Sequence, residues 1–445
     1  MQTKKATPWS FDRASDFTIF LTASAVGVGN FLTLPELVLY QGGLKVLLLH
    51  LAGLALLGVP LVLAEIILGR WLLRPLNEGA RALDRRFIIV PTVAFFATAF
   101  IATAYAFELG RLVVYSLRYL NLLGWGLPGL RFENLADRGF QLTAALLVLG
   151  LGGALVVRRP SRLVPWLRYG VLFSLGSWAV LSAWVSLEWG GEGFGRLLYW
   201  DTATISSDLI LKVSSFSLFT LSAGLGIVYN LTFYGSQRPR QTVVEGLGFW
   251  ARAGRPLRVL GWVLLADIVS SLASLALISP FGVGGLESSP LPGDQLLLDW
   301  LPQIFGPRFL GEAAGSLLLV SLLSAGFVAF VTLLDFAVTN LQIEQKWSRR
   351  KAMIHVLGIG AILLIPELFP RLRQWIEAWG QNVLLPLSAL GFALLAGWRM
   401  PARAQRNIFG RGLLLDPFFL LWRLSIRFVV PAVLVLLILR GFSTL

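Results

Sequence analysis

Apolar residues run through this chain in blocks of about twenty, separated by short polar stretches rich in arginine. A bilayer's hydrocarbon core takes about 20 apolar residues per helix, and windows of that length mark eleven spans. They lie near 17–38, 42–68, 88–117, 139–157, 165–187, 209–234, 259–280, 311–341, 352–368, 375–397 and 417–439. The pattern predicts an all-α polytopic membrane protein.

The first block is interrupted at its centre. Ser24-Ala25-Val26-Gly27-Val28-Gly29-Asn30-Phe31 holds two glycines two residues apart and an asparagine, and Pro35 follows five residues later. These are poor helix formers. A broken helix in hydrocarbon leaves backbone groups that lipid cannot satisfy, so it persists only against protein or a polar cavity. The sixth block carries a similar interruption, Phe219-Thr220-Leu221-Ser222-Ala223-Gly224-Leu225-Gly226. The two lie five spans apart, and an odd offset inverts one half relative to the other. Glycine-interrupted helices at corresponding positions of two halves point to a binding site at the repeat interface. Helix-packing patches space small residues by four rather than two, and would leave Asn30 unexplained. The expected organisation is a cytoplasmic N-terminal segment (1–16), a first five-helix repeat (17–190), a second, inverted repeat (191–400), and a C-terminal loop with an eleventh helix (401–445).

Composition agrees. The chain of 445 residues is 56% hydrophobic and 14% charged, against about a quarter charged in soluble proteins, and its mean hydropathy is +0.73. It has no cysteine, which excludes disulfides and thiolate metal sites. His50 and His355 are far apart and are read as packing or interface residues rather than ligands. The first apolar block is too long for the core of a cleaved signal peptide. With the N-terminus inside, 25 of the 38 Lys and Arg residues fall in inner loops and nine in outer ones. That bias follows the positive-inside rule, puts the C-terminus outside, and accounts for the net charge of +14 without nucleic acid. The longest hydrophilic stretches, about 188–208 and 282–310 (with Glu287, Asp294 and Asp299), are outer loops. No catalytic Ser/His/Asp set, metal cluster or nucleotide loop is present, so an enzyme is not indicated.

Several motifs, in order, resemble the neurotransmitter:sodium symporter family. Ala25-Val26-Gly27-Val28-Gly29-Asn30-Phe31-Leu32…Pro35 and Gly58-Val59-Pro60-Leu61…Glu65…Gly69-Arg70 are similar to its first two helices. Phe219 to Gly226 resembles its broken sixth helix, Ser348-Arg349-Arg350-Lys351-Ala352 the loop after helix eight, and Asn382-Val383-Leu384-Leu385-Pro386-Leu387…Gly397-Trp398 the tenth helix of bacterial, eleven-helix members. The resemblance implies the leucine-transporter-type fold, two inverted five-helix repeats with broken helices one and six, with alternating access around a midplane site. The handling of ions and substrates by broken helices is documented for that fold. It implies a secondary transporter in a bacterial-type cytoplasmic membrane, a monomer or weak dimer.

Carried over residue by residue, the resemblance implies a first sodium site at Ala25, Asn30, Thr220 and Asp267, completed by the substrate carboxylate. Asp267 stands where the family has Asn and adds a negative charge. Its plain structural role would be a packing carboxylate satisfied by Ser270 or Ser271. Ser271 matches the position that holds chloride in chloride-dependent members. Chloride, a fixed carboxylate at Asp267 and a proton remain open. The second sodium site would use Ala23 and Val26 carbonyls, the Ala325 carbonyl, and side chains at Val328 and Ala329, where the family has hydroxyls. Valine and alanine cannot ligate through their side chains, so this site is degraded. One sodium is the expected coupling ion. The alternatives are proton-coupled or sodium-independent transport or exchange through Asp267, and a non-transporting ligand-binding member of the same fold.

For substrate, the resemblance implies main-chain groups of Ser24, Ala25, Gly27, Val28, Gly29, Phe219, Thr220 and Ser222. Tyr105 is the candidate for touching the carboxylate, with Ala104 as the other register. Phe219, Leu225 and Leu333 give the side-chain pocket an apolar lining, which favours a neutral amino acid or a related small zwitterion. Glu65 matches a residue that clamps the break in helix six. The outer gate pair is missing, since Thr33 replaces its Arg and helix ten lacks its Asp. The inner gate is represented by Lys5, Trp9, Arg13 and Glu344 at shifted spacing. Glu108 is read as a buried carboxylate, and Glu36 and Lys45 as solvated.

Overall fold

The computed structural model describes residues 14–122, 138–158, 160–189, 205–235, 249–284, 310–409 and 415–443, with the single positions 195, 197, 198 and 305. Trp9 and Arg13 lie outside the described residues, as does the loop with Glu287, Asp294 and Asp299.

Among the described residues, nine helices are long and apolar enough to cross a membrane. In chain order they are span 2 (Leu44–Leu72), span 3 (Arg85–Leu120), span 4 (Arg138–Val156), span 5 (Arg162–Glu188), span 7 (Leu257–Pro280), span 8 (Gly311–Glu344), span 9 (Arg349–Leu368), span 10 (Pro370–Arg399) and span 11 (Asp416–Ser443). Span 1 is a pair, Ser15–Ala25 and Gly29–Gln41, bent by 45° at the glycines. Span 6 is also a pair, Ser207–Thr220 and Ile227–Gly235, joined by irregular backbone. Among the described residues helices therefore stand at each of the eleven expected positions, the sixth as two short pieces, and both interruptions are present. Several helices outrun the apolar windows, span 8 by three residues and span 10 by several at its start. Apolarity marks the stretch in hydrocarbon, whereas the helical hydrogen-bond ladder continues into polar ends.

Backbone groups freed inside the bilayer find specific partners. Pro60 in span 2 has no N–H, so the carbonyl of Leu56, four residues earlier, loses its helical donor. The preceding turn, Leu54–Gly58, is π-helical. Ser425 of span 11 donates its hydroxyl to Leu56 O at 2.9 Å, and Trp422 Nε1 donates to Pro60 O at 3.0 Å. The extra C-terminal helix thus seals a proline break. At the other end of the fold, Arg349 opens span 9 and is buried. It pairs with Asp335, donates to Thr339 Oγ1 at 3.2 Å, and donates through Nε to Val156 O at 2.6 Å, tying spans 4, 8 and 9.

Span 8 is the central post. It packs against spans 1, 3, 4, 5 and 9. Span 1 lies between spans 5, 7 and 8 and reaches span 6. Their shared core includes Phe20, Val26, Phe31, Leu34, Ala325 and Phe330, all essentially inaccessible. Two broken helices packed into one core fix the site.

Gly224, in the break of span 6, sits at φ +87, and a Cβ there would lie 2.4 Å from Ala389 Cβ on span 10. A left-handed conformation costs a residue with a side chain roughly 1–2 kcal/mol, and the overlap adds to it. Gly224→Ala should therefore lower the melting temperature in detergent and the yield of folded protein, whereas Gly150→Ala, with nothing near its Cβ, should not. Equal melting of the two would contradict the packing described.

Candidate functional site

The first half of span 1 ends at Ala25 and the second starts at Gly29. Tyr105 of span 3 enters between them. Its hydroxyl accepts from the Val28 amide at 2.9 Å. A Cβ on Gly27 would come within 2.3 Å of that hydroxyl, so a side chain at 27 excludes Tyr105. Of the two registers open on sequence, Tyr105 reaches the break. Its bond also occupies the Val28 amide, one of the three N–H groups expected to meet substrate.

The break in span 6 faces the same space. Ser222 takes a left-handed conformation (φ 51), and its hydroxyl donates to Ser24 O in the break of span 1 at 2.8 Å. Glu65 of span 2 is fully buried. It accepts from Gly224 N at 2.6 Å and from Tyr229 N at 3.1 Å, so one carboxylate ties the break to the half-helix that follows it. Ser388 of span 10 donates to Gly224 O at 2.5 Å.

Between the breaks lies a cavity of ≈ 30 Å³, about the size of a water site. It brings together Ser24, Ala25, Gly27, Gly29, Asn30, Tyr105, Phe219, Thr220, Ser222, Leu225 and Leu333, and adds Ile101 and Ala329. The Phe219 ring lies over Gly29, where a Cβ would meet its edge at 3.3 Å. A larger cavity, ≈ 300 Å³, sits between spans 5 and 8, walled by Trp166, Phe173, Phe327 and Val331. Its lining is mostly apolar and includes none of the glycines of the two breaks.

Oxygen donors gather beside the cavity. Asn30 Nδ2 donates to Asp267 Oδ1 at 3.1 Å, and Asp267 O lies at 3.4 Å. Asp267, on span 7, is fully buried. Ser270 donates to Ala266 O instead, and the Ser271 hydroxyl has no hydrogen-bond partner. Neither serine satisfies Asp267, then; Asn30 does. Asn30 Oδ1 and Asp267 Oδ2 are both buried without hydrogen bonds. Two such oxygens beside Thr220 and the end of a half-helix suit a hard cation such as sodium, which takes oxygen ligands.

His50 is the residue that sequence reasoning missed. It is inaccessible, with Nδ1 2.9 Å from Ser217 Oγ and Nε2 3.4 Å from Asp267 Oδ2. It also packs on Phe216, ring centroids 5.0 Å apart. The packing reading holds, yet the same side chain adjoins the buried carboxylate of Asp267. A histidine 217 residues from its partner leaves no local trace; a buried His opposite a buried Asp is visible only in the fold. His355 is exposed, with Nδ1 near Lys351 O at 2.8 Å. Lys45, expected in water, is buried.

At the second site, Ala23, Val26, Ala325, Val328 and Ala329 are all buried where spans 1 and 8 pack. Val328 presses on Gly170 of span 5, and Ser324 donates to Gly170 O at 3.4 Å. Hydrocarbon stands where hydroxyls were required, and Ala329 instead lines the central cavity. Glu344 accepts from Asn77, which ties the end of span 8 to the helix Leu76–Leu83. Asp16 of span 1 lies 3.7 Å from Arg168 of span 5.

No protein-family profile matches the chain. It is similar to the sodium-dependent transporter YhdH of Bacillus subtilis (strain 168), an uncharacterized protein, at 24% identity over 459 positions covering 95% of each chain. It is similar also to an uncharacterized sodium-dependent transporter of Haemophilus influenzae, at 22% identity over 465 positions and again 95% of each. Among solved structures, MhsT in complex with L-phenylalanine superposes with a TM-score of 0.82 at 23% identity, covering 98% of this chain and 100% of that one. End-to-end likeness, two broken spans and a shared central site converge: the chain is an integral membrane transporter, not an enzyme, with the leucine-transporter-type fold, and it is similar over nearly its whole length to sodium-dependent transporters.

Proposed function

We propose that this transporter imports a neutral, apolar amino acid or related small zwitterion by alternating access, coupled to one sodium ion. The observation that carries the reading is the Asn30–Asp267 pair beside the break of span 1, in which Asn30 Oδ1 and Asp267 Oδ2 are buried without hydrogen bonds and Asn30 lines the central cavity. Asn30, Asp267, Thr220 and the Ala25 carbonyl would hold the ion, and the substrate carboxylate would complete it. The amides of Gly27 and Gly29, at the positive end of a half-helix dipole, would meet that carboxylate. Tyr105 positions this strand of backbone through Val28. The carbonyls of Phe219 and Ser222 would face the ammonium group. Phe219, Leu225, Leu333 and Ile101 make the remaining wall apolar, which disfavours a charged side chain. The side chains at the second site offer no oxygen, so a single sodium is the coupling stoichiometry.

A second reading draws on a different contact. The approach of His50 Nε2 to Asp267 Oδ2 puts two titratable groups side by side in the core, as proton-coupled or sodium-independent exchange through Asp267 would need. Uptake by cells separates the two readings. L-phenylalanine and L-leucine should accumulate in sodium buffer and not when choline replaces sodium. Equal uptake in choline would refute sodium coupling and leave the second reading.

A further inference from the structure

The resemblance left this chain without an outer gate, because the family pair between helices one and ten is missing. Thr33 is exposed on span 1. The structure carries a different link at the same end of the molecule. Arg373, in the first turns of span 10, pairs with Glu108 of span 3. Arg111 donates to the same carboxylate at 3.0 and 3.2 Å. Arg373 Nε also donates to Glu377 Oε1 at 2.8 Å, lies 3.8 Å from the buried carboxylate of Glu367, and its guanidinium stands 5.4 Å above the Phe107 ring. One arginine therefore serves three carboxylates on three segments, and its bond to Glu108 and its place over Phe107 join spans 3 and 10.

The position relative to the cavity gives the pair a function. Ile101 lines the cavity, and Gly380 of span 10 packs on Phe100 and Ile101. Glu108 is seven residues beyond Ile101, and Arg373 seven residues before Gly380. At 1.5 Å per residue the ion pair stands roughly 10 Å from the cavity, toward the end that the charge distribution puts outside. Between ion pair and cavity, span 10 changes from α-helix (Pro370–Glu377) to π-helix (Ala378–Leu384). Such π segments are frequent at functional sites and allow a local change of register. Glu377 keeps Arg373 attached to the first segment, so the arginine travels with it.

We infer that Glu108 and Arg373 form the outer gate of this transporter, closed by the Pro370–Glu377 segment moving about the π-helical stretch Ala378–Leu384. The inference rests on the alternating-access reading, but needs neither sodium nor a particular substrate. A charged pair would close the path by adding a cross-span bond above the cavity. Glu108 and Arg373 are about one-fifth and one-quarter exposed, so water reaches the pair and opening strands neither charge.

The absence of cysteine permits a direct test. Ile101→Cys in the full-length protein reports access to the cavity, read as the rate of modification by a membrane-impermeant methanethiosulfonate added outside whole cells. Glu108→Gln removes the negative charge of the cross-span pair while leaving Arg373 to neutralise Glu367, and should speed labelling about tenfold. Arg373→Lys keeps the charge but loses the fork, and should give an intermediate rate. Arg371→Gln, which removes a charge from an exposed neighbour outside the pair, should label as slowly as the parent. Equal rates in the parent and Glu108→Gln would overturn the inference, as would a reporter reached only from the inner face of inverted vesicles. A sodium-independent transporter with this labelling pattern would leave the gate standing and remove only the sodium reading.

Discussion

Glu65→Ala is expected to abolish transport and to lower thermal stability more than other single polar substitutions in the core. The carboxylate accepts from Gly224 N, within the span 6 break, and from Tyr229 N, in the half-helix after it. Both amides are buried, and an unpaired buried donor costs about 1–3 kcal/mol, more where the lost partner was charged. Water cannot replace the bonds from the membrane side. The break would then re-form as helix or detach from Ser24 and Ser388, whose bonds to Ser222 and Gly224 depend on its shape. Glu65→Gln keeps the length and one acceptor but turns an amide N–H₂ toward a second donor, so its effect should be intermediate. Melting in detergent, with uptake measured in parallel, checks the order: parent, Gln, Ala. An alanine variant that melts with the parent would show that the carboxylate does not hold the break.

The second large effect falls on the ion. Asn30→Ala removes an unpaired buried oxygen and the donor to Asp267 Oδ1 at once. It should weaken sodium about a hundredfold, equivalent to roughly 2.7 kcal/mol, with only a modest change in melting without sodium. Asp267→Asn restores the side chain that the family carries at this position. Under the sodium reading it keeps a sodium response at lower affinity, because a negative charge beside the ion is lost. Under the proton or exchange reading it loses flux outright. Sodium titrations of uptake by the two variants therefore test the site and choose between readings. A parent-like sodium response in Asn30→Ala would move the ion elsewhere.

The contrast between the local and the long-range parts of this site is instructive. Breaks announce themselves along the chain: Gly27 and Gly29, or Gly224 and Gly226, cannot sit mid-helix in lipid without a reason, and the helices do stop beside them. Asn30 was conspicuous because an amide in an apolar run must be satisfied. Tyr105 was ambiguous by one residue, since the rotation of span 3 decides which side chain enters the break, and apolarity on all sides of that helix does not encode rotation. His50 against Asp267 and Arg373 against Glu108 were illegible for a further reason. Each joins spans far apart in sequence, and a lone polar residue has no period to betray its partner. The positions where the resemblance implies an outer pair, Thr33 and helix ten, carry none, and the pair in this fold uses span 3 instead. Ser425 likewise gave no hint that it serves the carbonyl freed by Pro60.

The central claim is that this fold binds a neutral amino acid together with one sodium. Thermal-shift titration of the purified full-length protein across the amino acids, in sodium and in choline, tests it most directly, because any ligand that prefers the folded state raises its melting temperature. The account predicts that an apolar amino acid such as L-phenylalanine or L-leucine raises the melting temperature only when sodium is present, with a first-order dependence on sodium. An equal shift in choline, or a clearly second-order dependence on sodium, would contradict it.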